Sequence, residues 1–135
     1  MPFGLVPPKE EEAVFRKMVA YYKQIYTGVG FKRDEKDLDH KELGELLYTY
    51  PGEESEATAA EKMARISSAI GEGYDTPIIV LKAGRKMILL DGHRRVRVAY
   101  SQGMGWKALL IVPDKKMKFG MEDMVMGKVK DLYGR

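Results

Sequence analysis

The stretch from Met87 to Gly103, MILLDGHRRVRVAYSQG, leaves this chain few ways to fold. The continuous apolar run Met87–Leu90 predicts a buried strand. Asp91-Gly92 breaks it sharply, and a helical pattern starts at once with His93, Arg94, Arg95 and Arg97. Gly103 supplies a C-terminal stop. A helix N-terminus presents N–H groups and a partial positive charge to an anion. Arginine adds bidentate hydrogen bonds to phosphate. The junction therefore has the parts of a phosphate-binding device, with Gly92 at the strand-to-helix turn and Arg94 and Arg95 expected at an open cleft. The same residues also suit a plain strand–helix connection with its arginines in solvent.

Charge distribution supports the first of these. Residues 1–75 hold 10 Lys and Arg against 15 Asp and Glu, net −5. Residues 76–135 hold 13 against 5, net +8, and this half contains the glycine turn. A basic half suits an anionic ligand, although the two halves also attract each other. The chain has no cysteine, which removes disulfides, thiolate catalysis and cysteine-based zinc sites. No apolar run approaches a membrane span and nothing resembles a signal peptide, so no membrane partner and a cytoplasmic location are expected. The 32% charged content and the missing cysteine both suit a thermophile.

Along the chain, Pro7-Pro8 precedes a helix expected from about Glu10 to Ile25, with Val14, Met18, Tyr21, Tyr22 and Ile25 on one buried face. The charged run after Phe31 reads as a solvated loop, with extended segments near Asp37–His40 and Leu46–Tyr50. Pro51-Gly52 signals a turn. Thr58 to Glu61 has capping-box spacing and opens a helix with Met63, Ile66 and Ile70 inward, ending at Gly71 or Gly73. Ile78–Leu81 and Met87–Leu90 form a hairpin about Ala83-Gly84, and WKALLIVP is a third buried strand after the Arg-rich helix. Met121, Val125, Val129 and Leu132 predict a final helix. The order of elements describes one α+β domain over residues 1–135, a small mixed sheet packed with helices. Its parts are an N-terminal helix and extension (1–45), a core (46–112) and a C-terminal helix (113–135).

From about Tyr48 to Val112 the chain resembles the ParB/sulfiredoxin superfamily, carried by EKMARISSAI, TPIIVLK, KMILLDG and GHRRVRVAYSQG. The resemblance implies a compact ParB/sulfiredoxin-like domain with an extra N-terminal helix, and nucleotide phosphate bound by Gly92, His93, Arg94 and Arg95. Sulfiredoxin chemistry needs a motif cysteine, and His93 stands where it would lie. Chromosome-partitioning members carry a helix-turn-helix domain after the nucleotide domain, whereas about one helix is expected after Val112. The motif is most similar to free-serine kinases of archaeal type, which have Asp-Gly-His-His-Arg and an upstream Pro-x-Glu whose glutamate is the base. Here these are Asp91-Gly92-His93-Arg94-Arg95, with arginine replacing the second histidine, and Pro51-Gly52-Glu53.

The resemblance implies an ATP- or ADP-binding phosphotransferase or phosphohydrolase, with a small hydroxyl-bearing metabolite as a kinase substrate. Glu53 is then the candidate base, and His93 a phosphate donor or proton shuttle. Two roles are open to Asp91, a Mg²⁺ ligand or a helix N-cap. Glycine at 92 would let phosphate approach the backbone. An alternative is a nucleic-acid-associated module, DNA-binding or nuclease, using Lys115, Lys116 and Lys118. A further alternative is a nucleotide-binding regulator without turnover.

Overall fold

The structure, a computed structural model, describes residues 4–49 and 56–133. Pro51, Gly52 and Glu53 lie outside the described residues. Helix α1 (Pro8–Ile25) is followed by strand β1 (Phe31–Leu38), helix α2 (His40–Glu45) and strand β2 (Leu47–Thr49). Helix α3 (Glu56–Gly71) leads to strands β3 (Ile78–Ala83) and β4 (Lys86–Asp91). Helix α4 (His93–Ser101), strand β5 (Trp106–Pro113), strand β6 (Val125–Lys128) and helix α5 (Val129–Tyr133) complete it. The strands form one mixed sheet in the order β1-β5-β3-β4-β2-β6. β2 and β4 run parallel, as do β3 and β5, and the other neighbours are antiparallel. The protein is thus a mixed α+β structure with helices on both faces of a sheet.

The central strands are apolar on both faces because both are covered. Ile78, Val80, Leu89, Ala108 and Leu110 face a cluster with Leu43, Ile66, Val96 and Val129 from helices α2, α3, α4 and α5. Ile79, Leu81, Ile88, Leu109 and Ile111 face the opposite cluster, with Phe15 and Tyr22 of α1 and Phe119. The hairpin and the strand–turn–helix form where the apolar runs and glycines place them, with Gly84 at φ 65° in the hairpin turn.

Five local readings are corrected. The buried face of α1 runs through Glu11, Phe15 and Tyr22, while Tyr21 is 59% exposed and Ile25 is 48% exposed. The phase differs because Glu11 points inward, which an apolar stripe cannot reveal. The charged run Phe31–Leu38 is a strand, pairing from Phe31↔Pro113 to Leu38↔Trp106 with β5. Only its two ends are buried, and Arg33 pairs with Glu12 and Glu35, so β1 is a charged edge strand of the kind that resists edge-to-edge association.

His40 is not extended but begins α2, behind a capping box in which Asp39 Oδ1 accepts Glu42 N–H at 2.7 Å and Glu42 Oε1 accepts Asp39 N–H at 3.1 Å. Helix α3 already begins at Glu56, so Thr58 lies inside it and does not start it. The expected final helix divides into a 3₁₀ turn (Gly120–Met124), β6 and the short α5. Pairing of β6 with β2 outcompetes the helical spacing, and Gly127 at φ 146° interrupts it.

Candidate functional site

Strand β4 ends at Asp91, Gly92 turns at φ 97°, and α4 begins at His93. A Cβ at Gly92 would lie 2.6 Å from Ile78 Cγ2 and 3.0 Å from Arg95 Nη2. Glycine is therefore required by its left-handed backbone and by packing against the core strand, not by the approach of a ligand. The junction opens into a pocket of about 350 Å³ lined by Asp91, Gly92, His93 and Arg94, with Lys62 and Arg65 from α3. Its apolar wall is Ile66, Tyr74 and the segment through Leu5 and Val6. That segment is pinned by Val6 O, which accepts from Tyr74 Oη at 3.0 Å and Thr76 Oγ1 at 2.8 Å. The first-turn N–H groups of α4 have no partners within the helix, and Gly92 has no side chain to cap them.

Lys62 and Arg65 were not legible as site residues. Their three-residue spacing puts them on one edge of a helix, but nothing local shows that α3 packs beside α4. Arg65 is also paired with Glu61 on its own helix. Arg94 is exposed at the pocket, as expected. Arg97 lies over the Tyr133 ring at 4.6 Å and does not line the pocket.

Arg95 departs from the expected arrangement. It is 5% exposed, and its guanidinium points inward. Nη2 donates to Glu11 Oε2 at 2.6 Å and to Asp91 Oδ2 at 3.3 Å, and Nη1 donates to Pro77 O at 3.0 Å. Its partner Glu11 is 1% exposed. Burial and the neighbouring Asp91 push Glu11 well above the usual carboxylate range, against the pull of Arg95. Glu11 Oε1 is buried with no hydrogen-bond partner among the described residues, and once protonated it can donate to Asp91. Arg95 thus ties α1 to the pocket floor. A further residue that the sequence does not single out is Glu11, an acid in the first turn of α1 that lies 84 positions from Arg95.

His93 is partly buried, edge-on to Tyr48 at 4.8 Å between ring centroids, with Nε2 3.0 Å from Thr49 Oγ1. The single Thr49 hydroxyl proton goes to Leu89 O at 3.0 Å, so His93 Nε2 is the donor and Nδ1 the acceptor. Burial lowers the His93 pKa to about 4, with Arg94 and Arg95 adding to the shift and Asp91 opposing it. At neutral pH the ring is uncharged and does not serve as a cationic phosphate donor.

The unfolded chain protonates His93 near 6.5, whereas the folded protein does so only near 4. Folding therefore excludes a proton in this window. Stability from this group is full above pH 6.5 and falls on acidification toward pH 4, by roughly 3 kcal/mol at the acid limit. His93→Gln should be less acid-sensitive than wild type between pH 6.5 and 4 in urea titrations. Parallel stability curves for the two proteins across that range would refute the shift.

Among the described residues no group of three His, Asp or Glu side chains is arranged to hold a metal ion. Asp91 lines the pocket, and Mg²⁺ arriving on nucleotide phosphates needs only one or two protein carboxylates, so Asp91 fits as one, in competition with Arg95 for Oδ2. Lys115, Lys116 and Lys118 are not part of this pocket; they line a groove at the other end of the sheet. Among the described residues no helix is long and apolar enough to cross a membrane. No family model, curated protein or solved structure matches the chain.

Proposed function

We propose that the pocket at the head of α4 binds ATP or ADP through its phosphates, in a ParB/sulfiredoxin-like fold, and serves phosphoryl transfer to a small hydroxyl-bearing molecule or to water. The observation that carries this reading is the convergence of Lys62, Arg65 and Arg94 on the first turn of α4, whose N-cap glycine brings no capping side chain. Charged side chains and helix N–H groups together neutralise phosphate oxygens, which is most of what phosphoryl transfer asks of a protein. The wall of Ile66, Tyr74 and Val6 offers apolar surface to the rest of the nucleotide. Mg²⁺, held by Asp91, would draw charge off the phosphate oxygens. His93 holds its neutral ring against Thr49 and shapes the pocket. The resemblance assigns the base to Glu53.

Binding is tested by thermal shift with ATP, ADP and GTP, with and without Mg²⁺, since a ligand that binds only the folded state raises its melting point. Lys62→Ala, Arg65→Ala and Arg94→Ala should each weaken binding by roughly 1.5–3 kcal/mol, the scale of a hydrogen bond to a charged group. Phosphate-release assays on any hit separate turnover from binding alone, and binding without turnover favours the regulator. Absence of a shift at millimolar nucleotide would end this reading.

A further inference from the structure

We propose that the groove at the opposite end of the sheet binds the backbone of double-stranded nucleic acid without reading its sequence. The groove lies between the β3–β4 hairpin and the segment that follows β5, and encloses about 1030 Å³. Strand β4 separates it from the α4 pocket, with Lys86 at one end and Asp91 at the other, about 17 Å apart at the rise of a strand. The two are distinct sites.

Among the described residues six cations line the groove: Lys82, Arg85, Lys86, Lys115, Lys116 and Lys118. Its three acids are already engaged. Asp114 Oδ1 accepts Gly30 N–H at 2.9 Å. Glu122 accepts Phe119 N–H at 2.6 Å and holds Lys86 at 3.1 Å. Asp123 pairs with Lys118 at 3.1 Å. Lys82, Arg85, Lys115 and Lys116 are exposed, and no ion pair or hydrogen bond of their side chains occurs among the described residues. Lys82 lies near the end of β3 and Arg85 in the turn that follows it, beside Lys115 and Lys116 on the segment after β5, and like charges there repel unless an anion joins them.

The lining chemistry selects the occupant. Among the described residues no aromatic side chain lines the groove, so unpaired bases have nothing there to stack on. Its lysines stand in solvent and reach outward, so what it offers is charge on flexible stems. Such groups contact phosphates, which position a duplex and carry no sequence information.

The test is fluorescence anisotropy with the full chain and a random-sequence duplex of about 20 base pairs, across 50 to 200 mM KCl. Four phosphate contacts predict a slope of log affinity against log salt near −3.6, or a loss of about 150-fold over that range. Lys115→Glu with Lys116→Glu should halve the slope, to about −1.8, while leaving the nucleotide-induced thermal shift unchanged. If that variant fails to fold, Lys82→Gln with Arg85→Gln makes the same test. Millimolar ADP should not displace the duplex, so the groove can fail without the pocket failing, and the reverse. The proposal is overturned by no duplex binding at 50 mM KCl, by an unchanged slope in the variant, or by tighter binding of a single strand. Polyglutamate of equal charge that binds where the duplex does not would assign the groove to an acidic protein and also overturn it.

Discussion

Arg95→Ala should destabilise the fold by about 3–5 kcal/mol at pH 9, the cost of removing one partner from a buried ion pair. Glu11 is left 1% exposed beside Asp91, with the cation that faced both gone. The carbonyls of Thr76 and Pro77 lose a donor as well. The pH sets the size of the effect. Glu11 has a folded pKa above its unfolded value near 4.5, so it takes up a proton on folding. Its stabilising contribution is full below pH 4.5 and declines as the pH rises toward the folded value. Without Arg95 that folded value moves higher still.

At pH 6 both proteins carry a protonated Glu11, and the loss falls to about 1–3 kcal/mol, that of unsatisfied buried polar groups. Above the wild-type folded value the gap widens, because only the wild type can ionise Glu11 against a cation. Urea titrations at pH 6 and pH 9 measure both quantities. Adding Glu11→Gln to Arg95→Ala should abolish the pH-dependent part. Arg94→Ala, one position earlier and exposed, should stay within about 0.5 kcal/mol of wild type. An Arg95→Ala protein as stable as wild type at both pH values would mean that the guanidinium does not hold α1 to the pocket floor.

Glu53→Gln should reduce nucleotide turnover by about 10²–10⁴ with the fold intact, the usual span for loss of a general base. The role comes from the resemblance of Pro51-Gly52-Glu53 to a kinase motif. The structure adds a reason to look beyond His93. Its pKa near 4 makes it a weak base, and its Nε2 proton is committed to Thr49. Glutamine keeps the shape of Glu53 and removes the proton acceptor. Nucleotide affinity should hold or improve slightly, since a base in the role that the resemblance implies for Glu53 would bring a negative charge near phosphate, and the variant lacks it. Thermal shift and phosphate release on the same variant read the two effects separately. Normal turnover in the Gln variant would exclude Glu53 and leave the phosphate pocket standing.

The centre of this protein is legible in its local sequence. Met87–Leu90, Ile78–Leu81 and WKALLIVP are short apolar runs that can be satisfied only inside a covered sheet, and glycines 84, 92 and 103 mark where the chain must turn. These are local facts, because strand burial and left-handed backbone depend on neighbours in the chain. The rest depends on contacts between distant parts of the chain. The charges of Phe31–Leu38 look solvated, but backbone pairing with β5 makes a strand whose side chains stay outside. The C-terminal apolar spacing suits a helix until β2 offers an open edge. Above all, Arg94 and Arg95 are adjacent and chemically identical, yet one faces the pocket and the other is sealed into the interior. A buried guanidinium is stable only with acceptors around it, and one of them, the Glu11 carboxyl, comes from the far end of the chain. No local pattern encodes that pairing; it exists only once α1 is laid across the sheet.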